Sequence, residues 1–208
     1  MRTGKFIVIE GLEGAGKTTA INTISDYLKT KNIDFILTRE PGGTALGEQL
    51  RKIPKEPKFA EPLDMRSELL MFYAARTQLL EQVIRPALEK GIWVVADRFE
   101  LSTYAYQGGG RGISFEFIDA LSKFCVGDLQ PDLVLFLDIE PELGLARAAQ
   151  RSQKDRIEAE SLAFFKRVYE AYQERVAKFD SYKIISASKP LEEVQDALRQ
   201  QLDIFTHE

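Results

Sequence analysis

The chain contains very little cysteine and histidine. Its 208 residues include one of each, Cys125 and His207. A lone cysteine cannot form a disulfide within the chain, and no Cys/His spacing suggests a zinc site. A single histidine next to the last residue argues against a histidine-dependent catalytic triad and against a histidine metal cage.

The chain also lacks long apolar segments and any excess of positive charge. No apolar run approaches the roughly 20 residues that a membrane-spanning helix needs, and the stretch before Glu10 is too short for a signal peptide. The 28 basic and 32 acidic residues give a net charge of −4, which argues against nucleic acid or an anionic membrane as a general partner. We therefore expect a cytoplasmic protein that binds neither, and that holds any phosphate with a few locally placed basic residues.

The order of apolar and amphipathic segments indicates an α/β fold. The composition, 44% hydrophobic and 29% charged, is typical of a globular protein and, at this length, of one domain over 1–208. Five short apolar runs predict strands covered on both faces, as in a parallel sheet: 6–9, 35–37, 93–96, 133–137 and 183–185. Between and after them, six longer segments predict helices: 17–30, 66–89, 114–125, 141–150, 160–178 and 190–204.

Two segments interrupt this alternation. Residues 53–62 carry three prolines and are interpreted as a surface connection. Residues 107–112 carry four glycines and are interpreted as a mobile loop. Neither segment is long enough to separate two domains.

Residues 11–18, G-L-E-G-A-G-K-T, match the phosphate-binding pattern G-x-x-x-x-G-K-[ST] between a predicted strand and a predicted helix. In such a loop the backbone N–H groups face phosphate oxygens, the lysine reaches the β- and γ-phosphates and the hydroxyl binds Mg²⁺. The motif therefore predicts binding of a nucleoside triphosphate, but it does not separate a kinase from an ATPase or a GTPase. The predicted loop residues are Gly11, Leu12, Glu13, Gly14, Ala15, Gly16, Lys17 and Thr18.

Charged residues follow two of the other predicted strands. Asp97 and Arg98 follow the strand 93–96, where a parallel sheet binds ligands, so Asp97 could help to hold Mg²⁺ and Arg98 a second phosphate. Arg39 precedes a Pro-Gly-Gly turn that would hold it at the same edge. The alternative for both segments is an ordinary exposed turn with surface charges. No N-K-x-D segment, the base-reading signal of GTPases, follows a strand.

Two helical segments carry residues that suit a nucleotide. Phe72 and Arg76 are four residues apart and share one helix face, where a ring could stack on a base and a guanidinium could bond its carbonyl oxygens. The alternative is a core phenylalanine with a solvated arginine. The polar segment 150–156 is either a solvated charged face or a basic lid that stabilises transition-state charge.

Together these motifs resemble those of the bacterial thymidylate kinases, in the same order and over essentially the whole chain. They are G-L-E-G-A-G-K-T, T-R-E-P-G-G-T, F-Y-A-A-R, D-R-F, A-Y-Q-G-G-G-R-G and D-R-I-E. The resemblance implies a three-layer P-loop NTPase fold with a five-stranded parallel sheet flanked by helices. It also implies Mg²⁺-dependent transfer of the γ-phosphoryl group of ATP to dTMP, giving dTDP, by a homodimer.

The resemblance further implies a role for individual residues. Lys17 and Thr18 would serve ATP and Mg²⁺, Asp97 would lie beside the metal, and 186–188 would lie near adenine. On the acceptor side, Glu13 would lie near the sugar and phosphate, and Arg39 and Arg98 would bind the phosphate. Tyr106 would contact the deoxyribose. Thymine would be contacted by Phe72, Arg76, Thr103 and Gln107.

The family also implies where the catalytic arginine lies. Some members carry a basic residue inside the phosphate loop, but residues 12–15 of this chain contain none. The arginine is therefore expected from a lid at about 147–158, with Arg151 as the first choice and Arg147 and Arg156 as competitors. The catalytic set is then Lys17, Asp97, Arg98 and one lid arginine.

Two departures from the family pattern and two alternative functions remain. Phe99 replaces the usual tyrosine or histidine after Asp-Arg, which puts any polar role there in doubt, and 53–62 is shorter and richer in proline than the usual connection. One alternative is a kinase for another nucleoside monophosphate, and selectivity for dTMP over dUMP stays open. The other is a nucleotide-dependent switch that hydrolyses triphosphate without an acceptor.

Overall fold

A computed structural model describes residues 3–56, 61–150 and 155–207. Five strands in this part of the chain form one parallel sheet in the order β2-β3-β1-β4-β5. This confirms the predicted α/β class and the five-stranded parallel sheet. The strands are β1 (Phe6–Gly11), β2 (Phe35–Arg39), β3 (Trp93–Asp97), β4 (Leu133–Asp138) and β5 (Tyr182–Ser186).

Helices connect the strands and flank the sheet. Helix α3 continues into α4 through a π-helical turn at Leu80–Ile84, and α5 continues into another at Tyr104–Gly110. No helix in the described ranges is long and apolar enough to cross a membrane. The helices are α1 (Lys17–Thr30), α2 (Ala45–Lys55), α3 (Met65–Leu79), α4 (Arg85–Glu89), α5 (Glu100–Thr103), α6 (Phe115–Cys125), α7 (Pro141–Ala148), α8 (Leu162–Val176) and α9 (Leu191–His207).

The register of the sheet brings the functional segments to one edge. Ile9 of β1 and Arg39 of β2 both pair with Asp97 of β3, on opposite sides of that strand. Every residue of β1 is buried, as continuous apolar runs in a parallel sheet predict. The phosphate loop, the Arg39 turn and the Asp97-Arg98 pair therefore all emerge at the carboxyl ends of adjacent strands.

The glycine-rich segment 107–112 is not a mobile loop, so that prediction is wrong. Gly108, Gly109 and Gly110 belong to the π-helical turn that extends α5. A Cβ added at Gly109 would lie 2.5 Å from Cβ of Ala171, and one added at Gly110 would lie 2.5 Å from the ring of Phe164. The glycines are needed because α8 packs directly against this turn, and even a methyl group would overlap it.

The prediction of a surface connection over 53–62 is wrong for its first residues. Helix α2 begins after Thr44, whose hydroxyl accepts a hydrogen bond from the N–H of Gly47 at 3.0 Å, and it continues through Pro54 to Lys55. Because proline has no N–H and its ring crowds the preceding turn, Pro54 disfavours further helix, and α2 ends one residue later. The remaining prolines of the segment include Pro57, which lies outside the described residues.

Candidate active site

Residues 11–18 form a tight loop between β1 and α1. Gly14 and Gly16 have φ angles of 76° and 89°, which glycine adopts without steric cost. A Cβ added at Gly14 would overlap the carbonyl oxygen of Gly144, so the loop passes directly against α7. Gly16 precedes α1 without a side-chain cap, so N–H groups of the first helical turn are available to bind an anion.

Lys17 lies across this loop. Its Nζ donates to the carbonyl oxygens of Gly11 at 3.1 Å and Leu12 at 2.9 Å. Burial lowers the pKa of Lys17 to about 8, and the positive charge of Arg98 acts in the same direction. A bound polyphosphate would give this ammonium group an anionic partner and would favour its protonated form.

A cleft of about 110 Å³ opens beside the loop. Its lining includes all of the residues predicted for the acceptor, which come from the phosphate loop, β2, α3 and the segment from the end of β3 through α5 into the following π-helical turn. Those residues are Glu13, Arg39, Phe72, Arg76, Arg98, Thr103, Tyr106 and Gln107, together with the predicted metal ligand Asp97.

Arg76 lies beside Phe99 and on the same helix face as Phe72, in what is called the apolar end of the cleft. It is only 3% exposed, so it is not a solvated surface arginine. Its Nε donates to Oε2 of Glu40 at 2.6 Å and its Nη2 to Oγ1 of Thr103 at 2.9 Å. Burial raises the pKa of Glu40 to about 7, although Arg76 opposes this. Nη1 of Arg76 is 3.9 Å from Glu100 and has no hydrogen-bond partner among the described residues. Phe72 lines the cleft on the same face of α3, one turn away.

Arg98 occupies the polar end of the cleft. Its φ of 71° is in the left-handed region, which is rare for a long side chain and concentrates at functional sites. Its Nη2 donates to Oε1 of Glu13 at 2.8 Å and to the hydroxyl of Tyr106 at 3.2 Å. Tyr106 in turn donates to Oε2 of Glu13 at 2.5 Å. Burial would raise the pKa of Glu13, but Arg98 and Lys17 hold it below its ordinary value.

Asp97 and Thr18 are the two residues predicted to hold a divalent cation. Oδ1 of Asp97 is buried and has no hydrogen-bond partner in the described ranges, a vacancy that a cation or its water can satisfy. Thr18 lies exposed in the first turn of α1. In the described part of the chain, no group of three or more His, Cys, Asp or Glu side chains is arranged to hold a metal ion. A hydroxyl and a carboxylate suit Mg²⁺, which commonly takes one or two protein ligands together with phosphate oxygens and water.

Sequence reasoning missed two basic residues of the cleft, Arg51 and Lys55 of α2. Nη1 of Arg51 donates to the carbonyl oxygen of Pro41 at 2.7 Å, which holds it on the turn that carries Arg39. Arg39 itself is exposed and pairs with Glu48 at 2.9 Å. The i, i+4 spacing of Arg51 and Lys55 was a usable signal, but the prolines at 54 and 57 hid the helix.

Buried carboxylates were also missed. Glu10 ends the apolar run of β1, and its carboxylate accepts from the N–H of Phe99 at 2.8 Å and the hydroxyl of Ser102 at 2.6 Å. Burial raises the pKa of Glu10.

Phe99 packs its ring edge-to-face on Phe6, with centroids 5.1 Å apart. The residue that departs from the family pattern is therefore an apolar part of the core.

Two of the three candidate lid arginines are bonded to the body of the protein. Nη1 of Arg147 donates to the carbonyl oxygen of Ala187 at 2.8 Å, within the predicted adenine segment 186–188. Nε of Arg156 donates to the carbonyl oxygen of Pro54 at 2.8 Å, and its Nη2 pairs with Glu68. Arg151, the first choice, lies outside the described residues.

Comparison with known proteins agrees with this geometry. Residues 9–198 match the family model described as thymidylate kinase. The chain is 55% identical over 203 residues to a thymidylate kinase of Legionella pneumophila strain Corby, covering 98% of this chain and 96% of the relative. It is 54% identical, with the same coverage, to the thymidylate kinase of strain Paris.

Proposed function

The chain belongs to the thymidylate kinase family, and from that premise we propose which of its residues hold the two nucleotides. The reaction is transfer of the γ-phosphoryl group of ATP to dTMP, which gives dTDP and ADP. One observation carries the assignment of residues. All of the side chains predicted for the acceptor line a single cleft at the mouth of the phosphate loop.

The apolar end of the cleft receives the thymine base. Phe72 stacks on the ring, and the guanidinium of Arg76 donates a hydrogen bond to a carbonyl oxygen of the base. Two buried contacts hold the guanidinium for this, the carboxylate of Glu40 and the hydroxyl of Thr103. Gln107 completes the pocket, where it is buried.

The polar end receives the sugar and the acceptor phosphate. Arg98 and Arg39 bind the phosphate, and Arg51 adds a third guanidinium on the same side. Glu13 and Tyr106 face the deoxyribose. The 2.8 Å ion pair between Glu13 and Arg98 then connects the sugar contact to the phosphate contact.

The phosphate loop receives ATP. Backbone N–H groups of residues 11–18 surround the phosphates, and Lys17 moves its ammonium group from the loop carbonyls to the β- and γ-phosphates. Segment 186–188 lies near adenine and is tied to α7 by Arg147. Thr18 and Asp97 would hold Mg²⁺, which when bound screens the charge of the phosphates.

Catalysis on this chain requires positioning and charge stabilisation. The two nucleotides meet between the loop and Arg98, so the acceptor phosphate can attack the γ-phosphorus directly and no protein nucleophile is needed. Arg151 is our choice for the arginine that neutralises transition-state charge. Its support is that Arg147 and Arg156 are each occupied by other contacts.

A coupled assay of ADP formation tests the function. With ATP and Mg²⁺, dTMP should give far more ADP than dUMP, dCMP, dGMP or water alone. If another monophosphate exceeded dTMP, the protein would be a kinase for that acceptor. If dTMP gave no more ADP than water, the nucleotide switch would be the better description. Omitting Mg²⁺ in the presence of EDTA should abolish the dTMP-dependent signal.

We also propose that the protein acts as a homodimer in the cytoplasm, where its nucleotide substrates occur. The support for the dimer is α6, an amphipathic helix in which only Ile118 is buried. Phe117 and Phe124 of α6 are 50% and 88% exposed, and Leu70 of the neighbouring α3 is also exposed. A second copy of the chain would cover these apolar side chains.

A further inference from the structure

The carboxylate of Glu68 is buried, 1% exposed, and contacts Gln107 of the cleft. Its Oε1 accepts a hydrogen bond from Nε2 of Gln107 at 2.8 Å and from Nε of Arg111 at 3.2 Å. Its Oε2 accepts from Nη2 of Arg111 at 3.2 Å and pairs with Arg156. One buried side chain thus contacts the base pocket and a segment that lies 88 residues further along the chain.

That segment, residues 155–160, is called the anchor segment here, and other contacts also hold it. The backbone N–H and Nε of Arg156 donate to the carbonyl oxygens of Lys55 and Pro54, at 3.3 and 2.8 Å, which caps the C-terminal end of α2. Glu160 pairs with Arg111. Asp155 pairs with Lys55 at 2.6 Å and, like Ile157, lines the cleft.

The charges in this network balance. Glu68 and Glu160 face Arg111 and Arg156, and the guanidinium of Arg111 also lies over the ring of Phe164 at 4.8 Å. A buried carboxylate is costly unless it is paired, and here two guanidinium groups share it. Removal of Arg156 would still leave Glu68 paired with Arg111, so the buried carboxylate would keep one of its two cationic partners.

The contact with Gln107 also sets the direction of an amide. Because a carboxylate accepts and does not donate, Nε2 of Gln107 must face Glu68, which leaves Oε1 as the group that Gln107 offers elsewhere. A carbonyl oxygen suits a base with an N–H at its pairing edge, as in thymine or uracil. It does not suit cytosine, which has an acceptor nitrogen at that position.

We propose that Glu68 is a positioning residue that couples recognition of the acceptor base to the anchor segment. It orients Gln107 for a base that offers an N–H, and through Arg156 it holds the anchor segment, which overlaps the C-terminal end of the predicted lid. This inference rests on the proposed function of the cleft. A base that binds Oε1 of Gln107 stabilises the Gln107–Glu68 contact, and therefore the position in which Glu68 accepts from Arg156.

Two measurements on three variants test the coupling. Hydrogen exchange of peptides covering 155–160 is followed with and without saturating dTMP, and kcat/KM is compared for dTMP and dCMP. In the wild type, dTMP should slow exchange of the anchor segment. Glu68→Gln should lose this protection and should lower the dTMP/dCMP ratio roughly tenfold, about the value of one well-made buried hydrogen bond.

The other variants separate the two halves of the proposal. Arg156→Gln should lose the protection but keep the dTMP/dCMP ratio within about twofold. Gln107→Ala should lose both, although Gln107 makes no described hydrogen bond to the anchor segment. Glu142→Gln, which breaks an exposed ion pair with Lys166, is the control and should change neither.

The outcomes are decisive even if Glu68→Gln does not fold. Protection by dTMP that persists in Gln107→Ala, measured at saturating dTMP, would overturn the coupling, as would an unchanged dTMP/dCMP ratio in a folded Glu68→Gln. A loss of the ratio in Arg156→Gln would move the orienting role from Glu68 to the anchor segment and also overturn it. Failure of the wild type to phosphorylate dTMP would instead remove the proposed function.

Discussion

At the scale of single residues, two arginines of the cleft, the buried Arg76 and the partly buried Arg98, are each fixed by carboxylates. Burial would lower the pKa of Arg76, but Glu40 and Glu100 raise it overall, and Arg98 is held in the same way by Glu13. A guanidinium locked in this manner loses little conformational freedom when a ligand arrives. Recognition of the acceptor therefore depends on the supporting carboxylates as well as on the groups that touch it.

Phe72→Ala should raise KM for dTMP about 5–150-fold, because base–aromatic stacking contributes roughly 1–3 kcal/mol per base. The KM for ATP should change much less, since Phe72 lies on the acceptor side of the cleft. Steady-state kinetics with each nucleotide varied in turn measures both values. Phe179→Ala, at an exposed phenylalanine outside the cleft, is the control. A defect confined to ATP would reverse the assignment of the two sites.

Arg151→Ala should lower kcat about 10²–10³-fold, the usual loss of roughly 2.7–4 kcal/mol when one transition-state donor is removed. Affinity for dTMP should change little, because the arginine is proposed to act only on the charge that develops during transfer. Single-turnover measurements compare it with Arg147→Ala, which should mainly weaken ATP binding through its contact at Ala187. A normal rate in Arg151→Ala would pass the role to another lid arginine.

Affinity for ATP should fall as the pH rises through about 8. In the free protein Lys17 has a pKa near 8 because it is buried beside Arg98, whereas a bound triphosphate favours the charged ammonium. Below that pH the lysine is already protonated and affinity is level; above it, binding must take up a proton, so Kd rises up to about tenfold per pH unit. Titration calorimetry with a non-hydrolysable ATP analogue, in buffers of different ionisation enthalpy, measures this uptake. A constant Kd between pH 7.5 and 9.5 would contradict it.

At the scale of elements, sequence patterns predicted what is local and missed what depends on distant packing. The five strands and the phosphate loop follow from short apolar runs and from glycines at fixed spacing. The long-range partners of Glu10 and Glu68 leave no local pattern, although Glu68 precedes Phe72 and Arg76 at the same i, i+4 spacing and could have been placed on their face. The glycine run was misread because its reason is the approach of α8, which is remote in sequence.

Gly109→Ala should destabilise the protein by about 1–3 kcal/mol, the usual cost of overpacking. The new methyl group would lie 2.5 Å from Cβ of Ala171 and 2.7 Å from the carbonyl oxygen of Arg167. In a mobile loop the same substitution would stabilise the protein by about 0.4–1 kcal/mol. The sign of the change in the free energy of unfolding therefore distinguishes a packed turn from a mobile loop. Urea unfolding measures it. Adding Ala171→Gly removes one of the two overlapping atoms and should recover part of the loss.

At the scale of the whole molecule, a net charge of −4 coexists with a concentrated basic site. Arg39, Arg51, Arg76 and Arg98 line one cleft of about 110 Å³, where Glu13 and Glu40 partly balance them. The acidic surplus elsewhere on the chain disfavours long polyanions, while the local guanidinium groups favour a small phosphate ester. Composition alone could argue against a long polyanion as ligand, but only the spatial arrangement of the arginines could indicate a small phosphate ester.

The last prediction concerns the oligomeric state of the protein. Phe124→Glu should convert the protein from a dimer, at twice the 23.6 kDa chain mass, to a monomer at micromolar concentration. Phe117 and Phe124 are seven residues apart, so they lie on one face of α6, and a charge in the middle of an apolar interface would be desolvated without a partner. Light scattering coupled to size-exclusion chromatography measures the mass. Phe179→Glu introduces the same charge at another exposed phenylalanine and should remain dimeric. A wild type that is monomeric throughout, or a Phe124→Glu variant that stays dimeric, would mean that α6 is covered by something other than a second copy.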